Sequence, residues 1–173
     1  MADKLTVTIL NYTFKLAPPP VPTSPVKHQY SYSEFMLDLS AQWRQIPTKE
    51  DNTLNFHSDD DGAAIIISAD FFDIPDDKVQ ALAEKCISSR IEALQIASQG
   101  SVQVLQQSIK SHSGGVGLEM SFAAHAEGEY VHLFLGYVTS RKILNFSMVC
   151  QPGKHEAVAL FNATVPGFRP RLP

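Results

Sequence analysis

The stretch LEMSFAAHAEGEYVHLFLGYVTSRKILNFSMVC, residues 118–150, decides the fold of this chain. Apolar residues recur along it with a period of two, as they do in β-strands that bury one face. Residues that favour turns interrupt the pattern at Glu127-Gly128 and at Ser140-Arg141. The stretch therefore predicts three antiparallel strands joined by tight hairpins.

Two-residue loops at both turns set the register of these three strands. One face of the sheet is then apolar and consists of Leu118, Met120, Phe122, Val131, Leu133, Leu135, Tyr137, Leu144, Phe146, Met148 and Cys150. The opposite face is mixed and consists of Glu119, Ser121, His125, Tyr130, His132, Phe134, Val138, Ile143, Asn145 and Val149. A slip of one residue would invert every side chain of a strand, so the agreement of three strands supports this pairing.

The elements on either side complete an α+β fold. Residues 102–150 form a four-strand meander, and further strands are predicted at residues 35–39, 54–56 and 63–72, the last of them buried on both faces. A long amphipathic helix begins at Ile74-Pro75 and ends near Gly100, and a shorter helix covers residues 153–165. We expect an antiparallel sheet of about six strands with the helices packed on it, in the order hairpin, long helix, meander, C-terminal helix.

The N-terminal region has a different composition. Five prolines fall in residues 17–25, and such a segment cannot join a sheet ladder or a helix interior. We therefore divide the chain into an arm with a proline-rich linker, residues 1–27, and one domain, residues 28–173.

Composition and cysteine spacing exclude several classes of protein. The chain has 173 residues and a net charge of -4, which disfavours general binding to nucleic acid. It contains no apolar run of the length needed to span a bilayer and no pattern of an export signal. Cys86 and Cys150 are too far apart in sequence for a zinc or redox motif. We expect a cytoplasmic protein with reduced thiols, without nucleic-acid binding or membrane insertion.

Two groups of residues could carry chemistry, and each has a simpler interpretation. Asp59, Asp60 and Asp61, with His57, could hold a cation or face a basic partner, but they lack the ligand spacing of an EF-hand, so a solvated turn is the preferred interpretation. His125 and His132 lie on one face in the predicted register, near Glu119, which suggests a ligand or proton-transfer site without an evident third metal ligand.

The sequence contains no nucleophile elbow and no phosphate-binding loop. We therefore predict no catalytic residues, no metal, no cofactor and no enzymatic activity.

The mixed face of the meander offers a third candidate, a groove for a partner. Its apolar residues are Phe134, Val138, Ile143 and Val149, and its rim is formed by Tyr130, His132 and Arg141. Either a helix covers these residues, or they form an apolar groove that receives a helix or strand of another protein. In the second case Val138→Asp should abolish binding without unfolding the domain.

Several local sequences resemble those of the PsbP-like fold. They are Phe35-Met36-Leu37-Asp38-Leu39 leading to Trp43, the strand at Ala63–Ala69, the helix after Ile74-Pro75, and the ending Pro166-Gly167-Phe168-Arg169-Pro170. The resemblance covers residues 30–170 and implies the same α+β architecture. Proteins with this fold are mostly binders without enzymatic activity, among them photosystem subunits, lipoproteins and chaperones of type VI secretion effectors.

The resemblance implies a bacterial module that binds a toxin or secreted effector, as a chaperone through an apolar groove or as an immunity protein through charge. The alternative from another class is a small-ligand protein or enzyme that uses the His125/His132 face. A second copy of the chain is a further candidate partner.

Overall fold

A computed structural model describes residues 27–114, 117–126, 130–152 and 156–171. Within these ranges the chain forms ten strands and two α-helices. The first half contains β1 (Lys27–Ser31), β2 (Phe35–Ser40), β3 (Arg44–Ile46), β4 (Thr53–Ser58), β5 (Ala63–Phe71) and α1 (Val79–Ala97). The second half contains β6 (Gln103–Ser111), β7 (Leu118–His125), β8 (Val131–Val138), β9 (Lys142–Cys150), α2 (Ala157–Thr164) and β10 (Phe168–Pro170).

The strands form two antiparallel sheets. The larger has seven strands in the order β3-β4-β5-β9-β8-β7-β6, and the smaller has three in the order β1-β2-β10. The α+β class, the antiparallel pairing and the four-strand meander are confirmed. The structure has ten strands in the described residues against a prediction of about six, and the three that the sequence did not indicate, β1, β3 and β10, are only three to five residues long and lack a clear apolar alternation.

The two faces of the large sheet are covered differently. On one face α1 buries Val79, Ala83 and Ile87 against β7, β8 and β9. A 3-10 turn at Asp76–Lys78 precedes α1, and Gly100, with a φ of 85°, lies just after its end. This backbone conformation suits glycine, so Gly100 ends the helix where the sequence predicted.

The small sheet and α2 cover the other face. Phe35, Leu37 and Leu39 of β2 are buried together with Ile65, Ile67 and Phe146 of the large sheet. The ring centroids of Phe146 and Phe168 are 5.2 Å apart, so β10 also contributes to this core. Alternate residues of β5 and β9 supply one continuous apolar layer, as their period of two predicts.

The predicted register is correct for one hairpin and wrong for the other. β8 pairs with β9 as predicted, with Leu135 opposite Phe146. The register between β7 and β8 differs from the prediction by one residue, so that Phe122 lies opposite Phe134. Ala126 N–H donates to Tyr130 O, so the paired ends enclose three residues instead of two. Met120 and Phe122 therefore lie on the α1 side of the sheet, opposite to the predicted side.

The strand β5 is also less buried than predicted. Ala63, Ile65 and Ile67 face the core beneath the small sheet, but Ile66 on the opposite face is 43% exposed. The apolar run in this strand is therefore not a sign of burial on both faces. The predicted arm and proline-rich linker lie outside the described residues except for Lys27, which begins β1.

Candidate functional site

One face of the large sheet is only half covered. α1 packs over β6 to β9, and no described helix packs over the same face of β3, β4 and β5. We call this uncovered half the open face, and its side chains are Arg44, Ile46, Thr53, Asn55, His57, Ala64, Ile66 and Ser68. Ile46 and Ile66 are its exposed apolar residues, at 36% and 43%.

A groove runs between α1 and the strands next to the open face. We call it the α1 groove, and it has a volume of about 420 Å³ and is lined by Asp70, Leu82, Lys85, Cys86, Ser89, Arg90, Ala93, Ile143 and Asn145. A second depression of about 200 Å³ shares Arg90 and Ala93 with it and reaches Leu94, His132 and Val149. Arg90 therefore lies between the two depressions.

Arg90 is the central polar group of the α1 groove. Its guanidinium carbon lies 4.2 Å from the centroid of the Phe134 ring, a cation–π arrangement. Its Nη1 donates to Ser147 Oγ at 3.4 Å. Within the described residues no carboxylate oxygen lies within 4.0 Å of its nitrogens. Burial lowers the pKa of Arg90, although the neighbouring Cys86 and Asp70 act in the opposite direction.

Two ionisable groups near Arg90, the Cys86 thiol and the His132 imidazole, are held in their neutral forms. Burial raises the pKa of the Cys86 thiol, which makes it a poor nucleophile. Burial lowers the pKa of His132, so its imidazole is neutral near pH 7. Cys150 is buried elsewhere with a pKa raised to about 11, mainly by desolvation. Both cysteines are free thiols.

The residues predicted to form a partner groove have separate places in the structure. Val138 is fully buried under α1, so it cannot line an open groove. Phe134 and Ile143 are also buried, at 1% and 7% exposure, and form the floor beside α1. Val149 and His132 line the smaller depression. Of the two predicted alternatives, a covering helix therefore applies to most of this face, and Tyr130 lies apart from the α1 groove at 41% exposure.

The predicted histidine pair is not formed. His125 lies opposite Val131 and His132 lies opposite Ala124, which places the two histidines on opposite faces of the sheet. The correction follows from the one-residue difference in the β7–β8 register. Glu119 lies on the side of His125 and binds Lys110 at 3.2 Å. In the part of the chain that the structure describes, no group of three His, Cys, Asp or Glu residues could hold a metal ion.

Two of the three carboxylates of the acidic turn are engaged by neighbouring residues. Asp59 binds Arg44 Nη2 at 3.1 Å and His57 Nδ1 at 3.0 Å. Asp61 is buried, and its Oδ2 accepts a hydrogen bond from Ser58 Oγ at 2.7 Å. Asp59 and Asp60 are exposed, as the sequence suggested for all three residues, and only Asp61 departs from that expectation.

Sequence reasoning missed Arg90 and Ile66 as site residues. The helical pattern placed Arg90 on the outward face of α1, four residues after Cys86, and that spacing did signal a shared face. Ile66 belongs to a strand that the sequence predicts to be buried on both faces. Its two cross-strand neighbours, Asn55 and Ser147, are both polar, which argues against burial of this face.

No family model matches the chain, and no curated protein does. A similar solved structure is the solution structure of cyanobacterial PsbP (CyanoP) from Synechocystis sp. PCC 6803. It has 16% identity and a TM-score of 0.62, over 88% of this chain and 96% of that chain. The chain has a PsbP-like fold. At this identity the likeness concerns the fold alone. No described helix is long and apolar enough to cross a membrane.

Proposed function

We propose that this PsbP-like chain is a non-enzymatic module that binds another polypeptide on its open face. The observation that carries the proposal is the half-covered face of the large sheet, where Ile46 and Ile66 are exposed. A sheet face with apolar side chains is normally covered by another layer of structure. A bound segment would supply that layer over β3, β4 and β5.

The open face has the composition of a binding surface. Its apolar residues are surrounded by polar ones, and Asn55 lies directly between Ile46 and Ile66 in the strand pairing. The Oδ1 atom of Asn55 is buried and accepts no hydrogen bond from the described residues. An unpaired buried acceptor is rare in folded proteins, and this one lies between the two exposed isoleucines of the open face.

The narrower proposal is a cytoplasmic chaperone for a secreted effector or toxin of a bacterial type VI system. Its support is the resemblance to PsbP-like binders together with the exposed Ile46 and Ile66 on the open face. An immunity protein that relied on the acidic turn would need free carboxylates, but Asp59 is paired and Asp61 is buried. These contacts favour the chaperone role over the immunity role. The alternative of a ligand site on a His125/His132 face has no support, since the two residues lie on opposite faces.

Site-specific photo-crosslinking tests the open face in the producing cells. A photoreactive phenylalanine replaces Ile66 in one variant and Leu105 in the other. Leu105 is a matched control because it is 45% exposed on β6, about 19 Å and four strands away from β5. We expect a crosslinked protein at position 66 that is absent at position 105.

The crosslinked protein is then purified and titrated against the intact chain. We expect Ile66→Asp to weaken binding at least tenfold, because it places a charge in an apolar contact, and Leu105→Asp to leave it unchanged. Equal affinities of the two variants, or no binding between the purified proteins, would reject the proposal.

A further inference from the structure

We infer that the α1 groove binds the carboxylate of an apolar acid, with Arg90 as its anchor. The ligand is an apolar group that ends in one carboxylate. Two sources share this chemistry: a free aliphatic acid and the C-terminus of a peptide with apolar last residues. The inference does not depend on the proposed function, because the open face is tested at Ile66 and the groove at Arg90.

Most of the hydrogen-bonding capacity of Arg90 is unused by the described residues. A guanidinium has five N–H donors, and the described residues use one of them, in a long 3.4 Å contact with Ser147 Oγ. The Phe134 ring lies 4.2 Å from the guanidinium carbon and offers no hydrogen-bond acceptor oxygen, so the other four N–H groups remain unused by the described residues. A planar fork of N–H groups matches the two oxygens of a carboxylate, which binds it in a bidentate manner.

The charges around the α1 groove favour one negative charge on the ligand. Arg90 and Lys85 contribute two positive charges to its lining, and Asp70 contributes one negative charge. Asp70 is exposed and accepts a hydrogen bond from Asn52 Nδ2 at 3.1 Å, so it has a partner of its own. The lining is therefore net positive in a chain whose net charge is -4. A monoanion suits this balance better than a dianion such as phosphate.

The walls define the rest of the ligand. Leu82, Cys86, Ala93 and Ile143 are apolar and surround the approach to Arg90. The volume of about 420 Å³ lies within the range of small-ligand sites, and burial of an aliphatic chain there contributes roughly 0.8 kcal/mol for each CH₂ group. The structure thus offers a groove with apolar walls and a net positive lining, which is the complement of an amphiphilic acid.

Titration of the full-length protein with octanoate, followed by NMR, tests the inference. Octan-1-ol is the matched uncharged probe. We expect octanoate to shift the Arg90 Nε–H signal and the backbone signals of Cys86 and Ile143, and octanol to bind at least tenfold more weakly. The inference is overturned if neither probe binds at millimolar concentration, or if octanol binds as tightly as octanoate.

Variants of two cations on α1 separate a specific anchor from general positive charge. Arg90→Met keeps an aliphatic side chain over Phe134 and is expected to weaken octanoate binding at least tenfold. Lys85→Met removes a charge from the rim and is expected to change the affinity for octanoate less than twofold. Arg90→Lys, which keeps the charge, should fold and bind with intermediate affinity, so the series remains informative even if Arg90→Met is unstable. Equal losses for Lys85→Met and Arg90→Met would overturn the assignment of Arg90.

A peptide arm of the experiment identifies the source of the carboxylate. The peptide Ala-Ala-Leu-Leu is compared with a free C-terminus and with a C-terminal amide. Binding of the free acid form alone, at the same residues as octanoate, indicates a peptide C-terminus as ligand. Binding of octanoate without either peptide indicates a free aliphatic acid. Binding of the amide as tightly as the acid would contradict the role of the carboxylate.

Discussion

Lys142 joins the two sheets through a buried ammonium group. It begins β9 and is 7% exposed, and its Nζ donates to Glu34 Oε1 at 2.5 Å and to the Arg171 carbonyl at 2.7 Å. Glu34 lies immediately before β2 and Arg171 immediately after β10. Because an unpaired buried charge is costly, these acceptors hold the ends of the small sheet against the large one.

Glu34→Gln tests this link. The hydrogen bond from Lys142 is the main reason that the pKa of Glu34 lies below its ordinary value, so the interaction stabilises the fold when Glu34 is ionised. We expect the variant to lose about 1–3 kcal/mol of unfolding free energy at pH 7, measured by urea denaturation. A glutamate with a lowered pKa contributes less to stability as the pH falls. The difference in unfolding free energy between the natural chain and Glu34→Gln should therefore shrink below about pH 4.5 and vanish below the pKa of Glu34 in the folded state.

The exposed ion pair of Asp73 and Arg141 provides the control for Glu34→Gln. Its atoms are 3.5 Å apart, and the two side chains are 83% and 70% exposed. Asp73→Asn should therefore change the unfolding free energy by less than about 1 kcal/mol at pH 7. The stabilising role of the Lys142–Glu34 pair would be contradicted if Glu34→Gln lost as little unfolding free energy as Asp73→Asn, or if its loss did not depend on pH.

The burial of Val138 changes the expected effect of a charge at this position. Val138 has no exposed surface and packs with Met120 and Ile87 beneath α1. Val138→Asp is expected to abolish cooperative thermal unfolding, because no described donor is present to compensate a buried carboxylate. Val149→Asp, on the same face but partly exposed, should remain folded by circular dichroism. A folded Val138→Asp variant would show that α1 does not seal this face.

At the scale of elements, the β8–β9 hairpin forms the centre of the main core. Leu135 and Phe146 lie opposite each other and are 6% and 0% exposed. We expect Leu135→Ala and Phe146→Ala each to cost about 2–5 kcal/mol in denaturant unfolding, the usual range for emptying a core site. Ile66→Ala on the open face should cost less than about 1 kcal/mol. Losses under about 1 kcal/mol for both core variants would mean that this pairing is not the core.

The two hairpins of the meander show what could be predicted from the sequence. At β8–β9, Thr139 N–H donates to Lys142 O across a two-residue turn, as Ser140-Arg141 predicted. At β7–β8 the turn is one residue longer. The apolar pattern could not reveal this, because β7 has buried apolar residues at both parities, including Phe122 and Ala123. Either register would have buried an apolar face.

The candidate site could be predicted only in part, for a related reason. Alternation along a strand indicates which residues share a face but not how much of that face a helix covers. The sequence therefore brought Phe134, Ile143 and Val149 together correctly but could not place α1 over β6 to β9 and leave β3 to β5 open. Arg90 was missed because an arginine at this helical spacing is equally compatible with solvent.

At the scale of the whole molecule, the large sheet has two unequal covers. The small sheet and α2 bury one face continuously from Phe56 of β4 to Tyr137 of β8. Among the described residues, the helix α1 buries the other face, and it does so beside β6 to β9. The asymmetry places both the open face and the α1 groove on the same side, so the two proposed binding surfaces lie on the opposite face of the sheet from the larger core.

The predicted boundary between the arm and the domain gives the last prediction. β1 pairs with β2 from Lys27 opposite Ser40, and the ring of Tyr30 packs 5.2 Å from that of Phe56 in the core. The described contacts that stabilise both sheets therefore begin at Lys27. Removal of residues 1–26 is expected to preserve one cooperative thermal transition and to shift Tm by less than about 4 °C, the effect of about 1 kcal/mol in a chain of this size.

A longer deletion shows whether the first experiment can detect a loss. Removal of residues 1–31 also eliminates β1, which uncovers Phe56 and leaves the edge of β2 unpaired. That variant should melt at a clearly lower temperature, because an aromatic contact and a strand ladder are lost together. If removal of residues 1–26 alone lowers Tm as much, the arm contributes to the core, and the domain does not begin at β1.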